Sequence, residues 1–165
     1  MNYDARRKAL LEAAARAEAD AVLLTFLPDI RWACGFTGSN GLLFVGQVNT
    51  WFLTDGRYAA QVQREVTTAR TEIVTGDLIA GLATLGAVSK GVRVAIQAEH
   101  VTLSQRRTLE GSIPEAALVE TEGLLPPLVA VKTPEEVTRI QAAQRLTEDV
   151  FEDLIDIIRP GVTEK

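Results

Sequence analysis

The residues with the most chemical potential form one glycine-rich stretch, CGFTGSNG, at positions 34–41. Its three glycines allow unusual backbone angles or the close approach of another group. Thr37, Ser39 and Asn40 add hydroxyl and amide groups that hydrogen-bond locally. The stretch therefore predicts a loop, which either only turns the chain or also presents side chains to a ligand or a partner.

Common catalytic and phosphate-binding motifs do not fit this loop. Its glycines match neither the Gly-x-Gly-x-x-Gly dinucleotide fingerprint nor a phosphate loop that ends in Gly-Lys-Ser/Thr. Ser39 lacks the first glycine of a nucleophile elbow, and no spacing pairs it with the single histidine, His100. Cys34 lies between an alanine and a glycine, which favours a small buried apolar residue over a nucleophile. We therefore predict no catalytic residue in this chain.

Composition excludes several other classes of function. A single cysteine excludes an intrachain disulfide and a thiolate zinc site, and His100 alone cannot hold a metal ion, so we predict no metal ligands here. The net charge of -5 and the pI near 5.0 argue against nucleic acid as a partner. No stretch resembles a signal peptide or reaches the roughly 20 apolar residues of a membrane helix. We therefore expect a cytoplasmic protein without a membrane partner.

The elements that position the loop alternate between helix and strand. A helix is predicted at 3–18, an apolar strand at 21–26, and a short helical turn from Pro28 leads into the loop. Strands at 42–46 and 51–53 follow, and their link is too short for a parallel crossover, so they form an antiparallel hairpin.

The alternation continues after the hairpin. Asp55 lies where a carboxylate caps the N-terminus of the next predicted helix. Glycine and prolines at 123–127 indicate a connector. The remaining predictions are helices at 57–65, 77–88 and 102–110, the last ended by Gly111, and strands at 71–74, 92–96 and 116–119. This order predicts an α/β layered domain with a mixed sheet.

The last predicted element is a long helix. Thr133 as N-cap, Pro134 in the first turn and Glu136 three residues on form a strong start signal. Apolar residues then recur at helical spacing as far as 159–161, which corresponds to roughly 40 Å of helix. This helix is too long for the preceding domain, so we expect a second copy of the chain to cover part of its apolar stripe. The stripe includes Val150, Phe151, Leu154 and Ile158.

Four segments together resemble one known family. They are IRWACGFTGSNGLL at 30–43, LTDGRY at 53–58, VKTPEE at 131–136 and RPGVTEK at 159–165. In this order and at this spacing they resemble the creatinase/prolidase/Xaa-Pro aminopeptidase family, over essentially the whole chain. The resemblance is to the amino-terminal domain and to the first helix of the next domain. It implies a three-layer α/β/α sandwich on a mixed sheet of about six strands, with a ribonuclease-H-like motif, plus a long C-terminal helix.

The resemblance also implies a division of labour. Residues 1–131 correspond to the N-terminal domain, and residues 132–165 to the linker and first helix of a missing metallopeptidase domain with the pita-bread fold. In the family that domain holds two divalent metal ions, manganese or cobalt, whose ligands have no counterpart here. The resemblance therefore implies a non-catalytic part of an Xaa-Pro peptidase, inactive by itself, whose proline-containing peptide substrate binds to the missing domain. Aminopeptidase, dipeptidase and creatine-hydrolysing activities all stay open.

The same resemblance points to a homodimer in which the loop lines the partner's substrate pocket. It implies that role for Phe36, Thr37, Gly38, Ser39 and Asn40. We expect Phe36 and Ser39 to be exposed and mobile, with Phe36 as an apolar wall for the substrate. Two residues depart from the family pattern, since Cys34 stands where threonine is common and Val129 where arginine often occurs.

Three further residues are secondary candidates, namely Asp55, Arg57 and Tyr58. A helix cap, a surface arginine and an aromatic anchor explain them without any ligand. A second hypothesis for the whole chain is a stand-alone binding or assembly module that never had a catalytic half.

Overall fold

The fold is described from a computed structural model, which covers residues 1–163. Glu164 and Lys165, the last two residues of the RPGVTEK segment, lie outside the described residues. Residues 2–129 form one compact unit, and the chain from Ala130 onward forms a second unit together with Met1. No helix among residues 1–163 combines the length and the apolar composition needed to cross a membrane.

The first unit is built on a mixed sheet of six strands in the order β4-β3-β2-β1-β5-β6. The strands are β1 (Ala21–Leu24), β2 (Leu42–Val45), β3 (Thr50–Thr54), β4 (Arg70–Ile73), β5 (Arg93–Gln97) and β6 (Ala117–Thr121). β2 runs antiparallel to both β1 and β3, and the other neighbours pair in parallel. The predicted hairpin is confirmed, with Leu43 of β2 opposite Phe52 of β3.

Helices cover both faces of this sheet. They are α1 (Tyr3–Arg16), α2 (Leu27–Cys34), α3 (Ala59–Glu65), α4 (Leu78–Thr84), α5 (Leu103–Ser112) and α6 (Pro126–Ala130), with a single 3-10 turn at Gly56–Tyr58. Gly111 does not end α5, as the sequence predicted, because the helix continues to Ser112 and is capped by Ile113. The connector at 123–127 also differs, since its prolines begin α6, where a missing N–H costs nothing.

Side chains alternate between two apolar cores. Val22 and Leu24 of β1 face the core under α1, α2 and α3, whereas Leu23 faces the core under α4 and α5. The central strands β1 and β2 are fully buried because both of their faces are covered, which explains their continuous apolar sequences. The three-layer α/β/α sandwich on a mixed six-stranded sheet is confirmed.

The second unit consists mainly of α7 (Pro134–Ile157). The predicted capping box is confirmed, since the Thr133 side chain accepts from the backbone N–H of Glu136 and the Glu136 side chain accepts in return. The apolar stripe of α7 is exposed along the helix, and the exposed fractions of Phe151 and Leu154 are 61% and 47%. That a second copy covers this stripe stays a prediction, because the structure holds one chain.

Candidate functional site

The candidate site is the segment at 35–41, here called the glycine loop, which links α2 to β2. Gly35 begins it as the C-cap of α2, with φ of +88° and its N–H donated to the carbonyl of Arg31. A Cβ at Gly35 would lie 2.6 Å from the hydroxyl oxygen of Tyr3. A larger residue would therefore meet both backbone strain and a clash, so the sharp turn into the loop requires glycine.

Phe36 points into the protein, and the prediction that it is exposed is wrong. Its side chain is only 1% exposed and belongs to the core under α1, α2 and α3. The ring centroid lies 4.5 Å from that of Phe52 and 5.5 Å from that of Tyr58, which it meets edge-on. Burying an aromatic side chain and pairing rings in this way are both favourable, so this loop residue anchors the loop instead of forming an exposed wall.

The other two glycines make room for these rings. A Cβ at Gly38 would lie 2.3 Å from Cζ of Phe36, and one at Gly41 would lie 2.8 Å from Cζ of Phe52. Both rings are buried and cannot swing aside freely. The spacing of the glycines therefore reflects aromatic packing beneath the loop.

On the outer side, Thr37 is exposed and is fastened to α3. Its backbone N–H and its hydroxyl each donate to the carboxylate of Glu65 at 2.8 Å, and the Gln61 amide donates to the Thr37 hydroxyl at 2.9 Å. Partial burial opposes the charge on Glu65, but the donors from Thr37 and Gln61 outweigh it and lower the pKa of this carboxyl. Sequence reasoning missed both Gln61 and Glu65, although their i,i+4 spacing on a helix marks them as neighbours.

Ser39 and Asn40 are held by the segment that follows β3. The Ser39 hydroxyl lies 2.5 Å from the Tyr58 hydroxyl, and the Asn40 amide donates to Asp55 at 2.6 Å. The buried Thr54 hydroxyl donates to the carbonyl of Asn40 at 2.6 Å. Ser39 is exposed, as predicted. The structure thus brings the loop residues together with two of the three secondary candidates.

The third secondary candidate, Arg57, binds Asp55. Its backbone N–H, Nε and a terminal nitrogen donate to that carboxylate at 3.0, 2.9 and 2.8 Å. Asp55 is a cap, as predicted, but it caps the 3-10 turn, because α3 begins only at Ala59. The hydrogen bonds from Arg57, and then from Asn40, hold the pKa of Asp55 well below its usual range. The Arg57 side chain is 69% exposed and lies over the Tyr58 ring, 5.4 Å from its centroid.

A cleft of about 290 Å³ lies beside the loop, next to the C-terminal ends of β1 and β4. Its polar lining includes Thr25, Ser39, Asn40, Asp77 and Gln105. The Asp77 carboxylate accepts from the backbone N–H groups of Ile79 and Ala80 and so caps α4. The lining can hydrogen-bond a polar group, and its one carboxylate already serves the helix.

The surroundings of Cys34 and His100 are those of packing residues. Cys34 is fully buried, and burial raises the pKa of its thiol to about 11, which suits the predicted apolar role and keeps it protonated at neutral pH. His100 stacks on Phe26, with ring centroids 3.9 Å apart and planes within 8°. Within residues 1–163, no three His, Cys, Asp or Glu side chains converge as metal ligands do.

This fold and loop match a known family. Residues 6–128 match the Creatinase/Prolidase N-terminal domain, and the chain therefore belongs to the creatinase/prolidase N-terminal domain family. It is also similar to an uncharacterized peptidase, YqhT, of Bacillus subtilis, with 27% identity over 146 residues that make up 88% of this chain and 41% of that protein.

Solved structures agree with this assignment. An Xaa-Pro dipeptidase from Bacillus anthracis superposes with a TM-score of 0.88 at 26% identity, over 99% of this chain and 46% of that one. The N-terminal domain of the cytoplasmic peptidase PepQ from Mycobacterium tuberculosis H37Rv gives a TM-score of 0.65 at 27% identity, over 75% of this chain and 98% of that one. The chain thus spans less than half the length of the YqhT and Bacillus anthracis proteins.

Proposed function

We propose that this chain is the N-terminal, non-catalytic domain of a dinuclear-metal Xaa-Pro peptidase of the aminopeptidase P or prolidase type. In this role it supplies oligomer contacts and a loop at the edge of a substrate pocket. The similarity to one part of a Bacillus anthracis Xaa-Pro dipeptidase supports the assignment. A homodimer in the cytoplasm and a proline-containing peptide as substrate belong to the same proposal.

The proposed role of the loop rests on the observation that the loop is held from two sides. Phe36 anchors it from below, while Glu65, Tyr58 and Asp55 hold its polar groups from the side. Thr37 and Ser39 remain exposed on this fixed backbone. A binding surface is more effective when it is preorganised, because less conformational entropy is lost on binding. The proposed contact to a peptide is therefore polar and made by these two hydroxyl residues, with Phe36 in a supporting position.

Metal chemistry is not assigned to the described residues. Residues 1–163 offer no converging set of three or more ligands, so two divalent ions do not fit them. In the proposed peptidase such ions belong to the catalytic domain. Accordingly, we derive no hydrolytic step from this chain, and its contribution is to bind and to position.

Two measurements on the 165-residue chain test the proposal. Calorimetric titration with Mn²⁺ should give no tight stoichiometric binding, and incubation with an Xaa-Pro peptide should give no cleavage. Tight binding or robust cleavage by the pure chain would contradict the non-catalytic assignment.

The reading frame downstream of codon 165 separates this proposal from the alternative module. Metal-ligand motifs in that frame support a peptidase domain, whereas a stop codon supports a stand-alone binding or assembly module. In a peptidase encoded by such a frame, Ser39→Ala should raise KM for an Xaa-Pro peptide with little change in kcat. Ser104→Ala, which removes an exposed hydroxyl on α5, is the matched control and should leave both parameters unchanged.

A further inference from the structure

One edge of the sheet carries a charge pattern that the proposed function does not use. The sheet order places β4 at one edge and β6 at the other. An edge strand presents unpaired backbone N–H and C=O groups, which can pair with a strand of another chain. Natural proteins therefore either protect such an edge or use it for association.

The backbone of β4 faces outward at alternate residues. The N–H of Val74 donates to the carbonyl of Thr54, and Thr54 lies opposite Ile73 in a parallel ladder. In such a ladder the polar groups of alternate residues point toward the neighbouring strand. Arg70, Glu72 and Val74 therefore face β3, and the N–H and C=O groups of Thr71 and Ile73 point away from the sheet.

The side chains of Arg70 and Glu72 lie on the sheet face that α4 covers. They pair in register with Trp51 and Leu53 of β3, both of which pack in the core on that face. Arg70 is exposed and lies over the Trp51 ring, 5.4 Å from its centroid. Within residues 1–163, neither Arg70 nor Glu72 forms an ion pair. The edge thus carries one positive and one negative charge, two residues apart.

We propose that β4 pairs antiparallel with β4 of a second copy of this chain, with Thr71 opposite Thr71 across a two-fold axis. Because Thr71 and Ile73 face outward, a two-fold ladder can be centred on Thr71, on Glu72 or on Ile73. Centring on Thr71 places Arg70 opposite Glu72 of the other copy, twice. Centring on Glu72 places two carboxylates opposite each other, which is unfavourable. Centring on Ile73 places Glu72 opposite Val74 and Arg70 opposite Gly76, so neither charge gains a partner. Only the register centred on Thr71 pairs both charges.

Two further features support β4 as the paired edge. A groove of about 300 Å³ lies beside it, lined by Glu72, Val74, Gly81 and Leu85 among others, and has room for the Arg70 side chain of the other copy. The opposite edge lacks this pattern, since β6 carries a single charge, Glu120, which pairs with Arg106 of the same chain. Because β4 carries both signs at a spacing of two residues, two copies can pair antiparallel with opposite charges facing each other.

This inference rests only on the oligomer contacts of the proposed function and is independent of the peptidase assignment. Sedimentation equilibrium of the full chain measures the dimer dissociation constant. Glu72→Arg and Arg70→Glu should each weaken the dimer about tenfold, because each change places like charges opposite each other at two positions. The double variant Arg70→Glu/Glu72→Arg should restore the original constant. Arg107→Glu, an exposed charge reversal on α5, is the matched control and should leave it unchanged.

Cross-linking tests the register directly. Opposite residues in a hydrogen-bonded antiparallel pair have Cα atoms about 5.5 Å apart, within disulfide range, so Thr71→Cys should form a disulfide-linked dimer on oxidation. Ile73→Cys should not, since four residues of offset separate the two copies of position 73 by roughly 13 Å. Cys34 is fully buried and does not compete.

The outcomes separate the two proposals. A dimer whose constant ignores Glu72→Arg, or a disulfide at position 73 as efficient as that at position 71, overturns the β4 pairing and leaves the oligomer contacts to another surface such as α7. A chain that stays monomeric at all concentrations overturns the β4 pairing and the oligomer contacts together. The calorimetric and cleavage tests still decide the peptidase assignment in either case.

Discussion

The glycine loop and the β4 edge both contain polar side chains, but they differ in whether these side chains have partners within the chain. The loop places an aromatic ring in the core, and five neighbouring side chains hydrogen-bond its polar atoms. The edge keeps its two charges without ion partners within residues 1–163 and exposes 39% of Ile73. This difference teaches that the conformation of the loop is fixed by contacts within the chain, whereas the charges of the edge remain available for a partner.

Truncating an apolar side chain should show the largest difference between the two regions. Phe36→Ala should lower the free energy of unfolding by about 3–5 kcal/mol, because it leaves a cavity under the loop. Ile73→Ala at the edge should cost less than about 1 kcal/mol, since its side chain is partly solvated. Urea denaturation of both variants at low protein concentration measures this. Equal losses would show that the loop is not anchored by its aromatic residue.

Adding a methyl group should give the next largest effect. Gly38→Ala should lower the free energy of unfolding by about 1–3 kcal/mol, because the new Cβ overlaps the buried Phe36 ring. Gly56→Ala is the matched control, since no atom lies within 4 Å of its Cβ position, and should change stability by less than about 0.5 kcal/mol. Thermal unfolding that ranks the two variants in the reverse order would contradict the packing explanation for the glycine spacing.

Removing one hydroxyl from each region should have a smaller effect. Thr37→Val deletes the side-chain donor to Glu65 and should cost about 1 kcal/mol. Thr71→Val on β4 should stay within about 0.5 kcal/mol, because its hydroxyl has no hydrogen-bond partner within residues 1–163. Chemical denaturation at neutral pH compares them. A loss at Thr71 that matches the loss at Thr37 would mean that the loop's polar network adds little.

The smallest effect should appear only as pH dependence. The pKa of Asp55 is lower in the folded chain than its ordinary value of about 4, so its carboxylate stabilises the fold above that pH. This contribution is lost as the pH falls from about 5 toward the lowered pKa. Asp55→Asn removes it, so the wild-type and variant free energies of unfolding should converge as the pH is lowered from 7 to 3. If the two free energies of unfolding differ by the same amount at every pH, the contacts from Arg57 and Asn40 do not lower the pKa of Asp55.

Much of the architecture follows from the sequence. The hairpin at 42–54, the alternation of strands and helices and the capping box at Thr133 were all predictable, because periodicity, link length and capping are local properties. Helix boundaries were less certain. Gly111 is a typical helix-ending residue, but α5 runs one residue further, to Ser112, and ends at the buried Ile113.

The loop was predicted in position, but the direction of its aromatic side chain was not. The loop and its candidates, Asp55 and Tyr58, do come together, whereas the sequence placed Phe36 on the wrong side of the backbone. A glycine-rich stretch has no periodicity from which the direction of a side chain follows. The contacts with Gln61 and Glu65 join residues 24 and 28 positions apart and have no sequence signal.

The sequence alone determined the fold class, the family resemblance and the caps, since these depend on residue types at short separations. Only the tertiary structure decided that Phe36 is an anchor, that the glycines accommodate aromatic rings and that β4 is an edge with self-complementary charges. The physical reason is that burial, close packing and strand order are set by contacts between segments far apart in the chain.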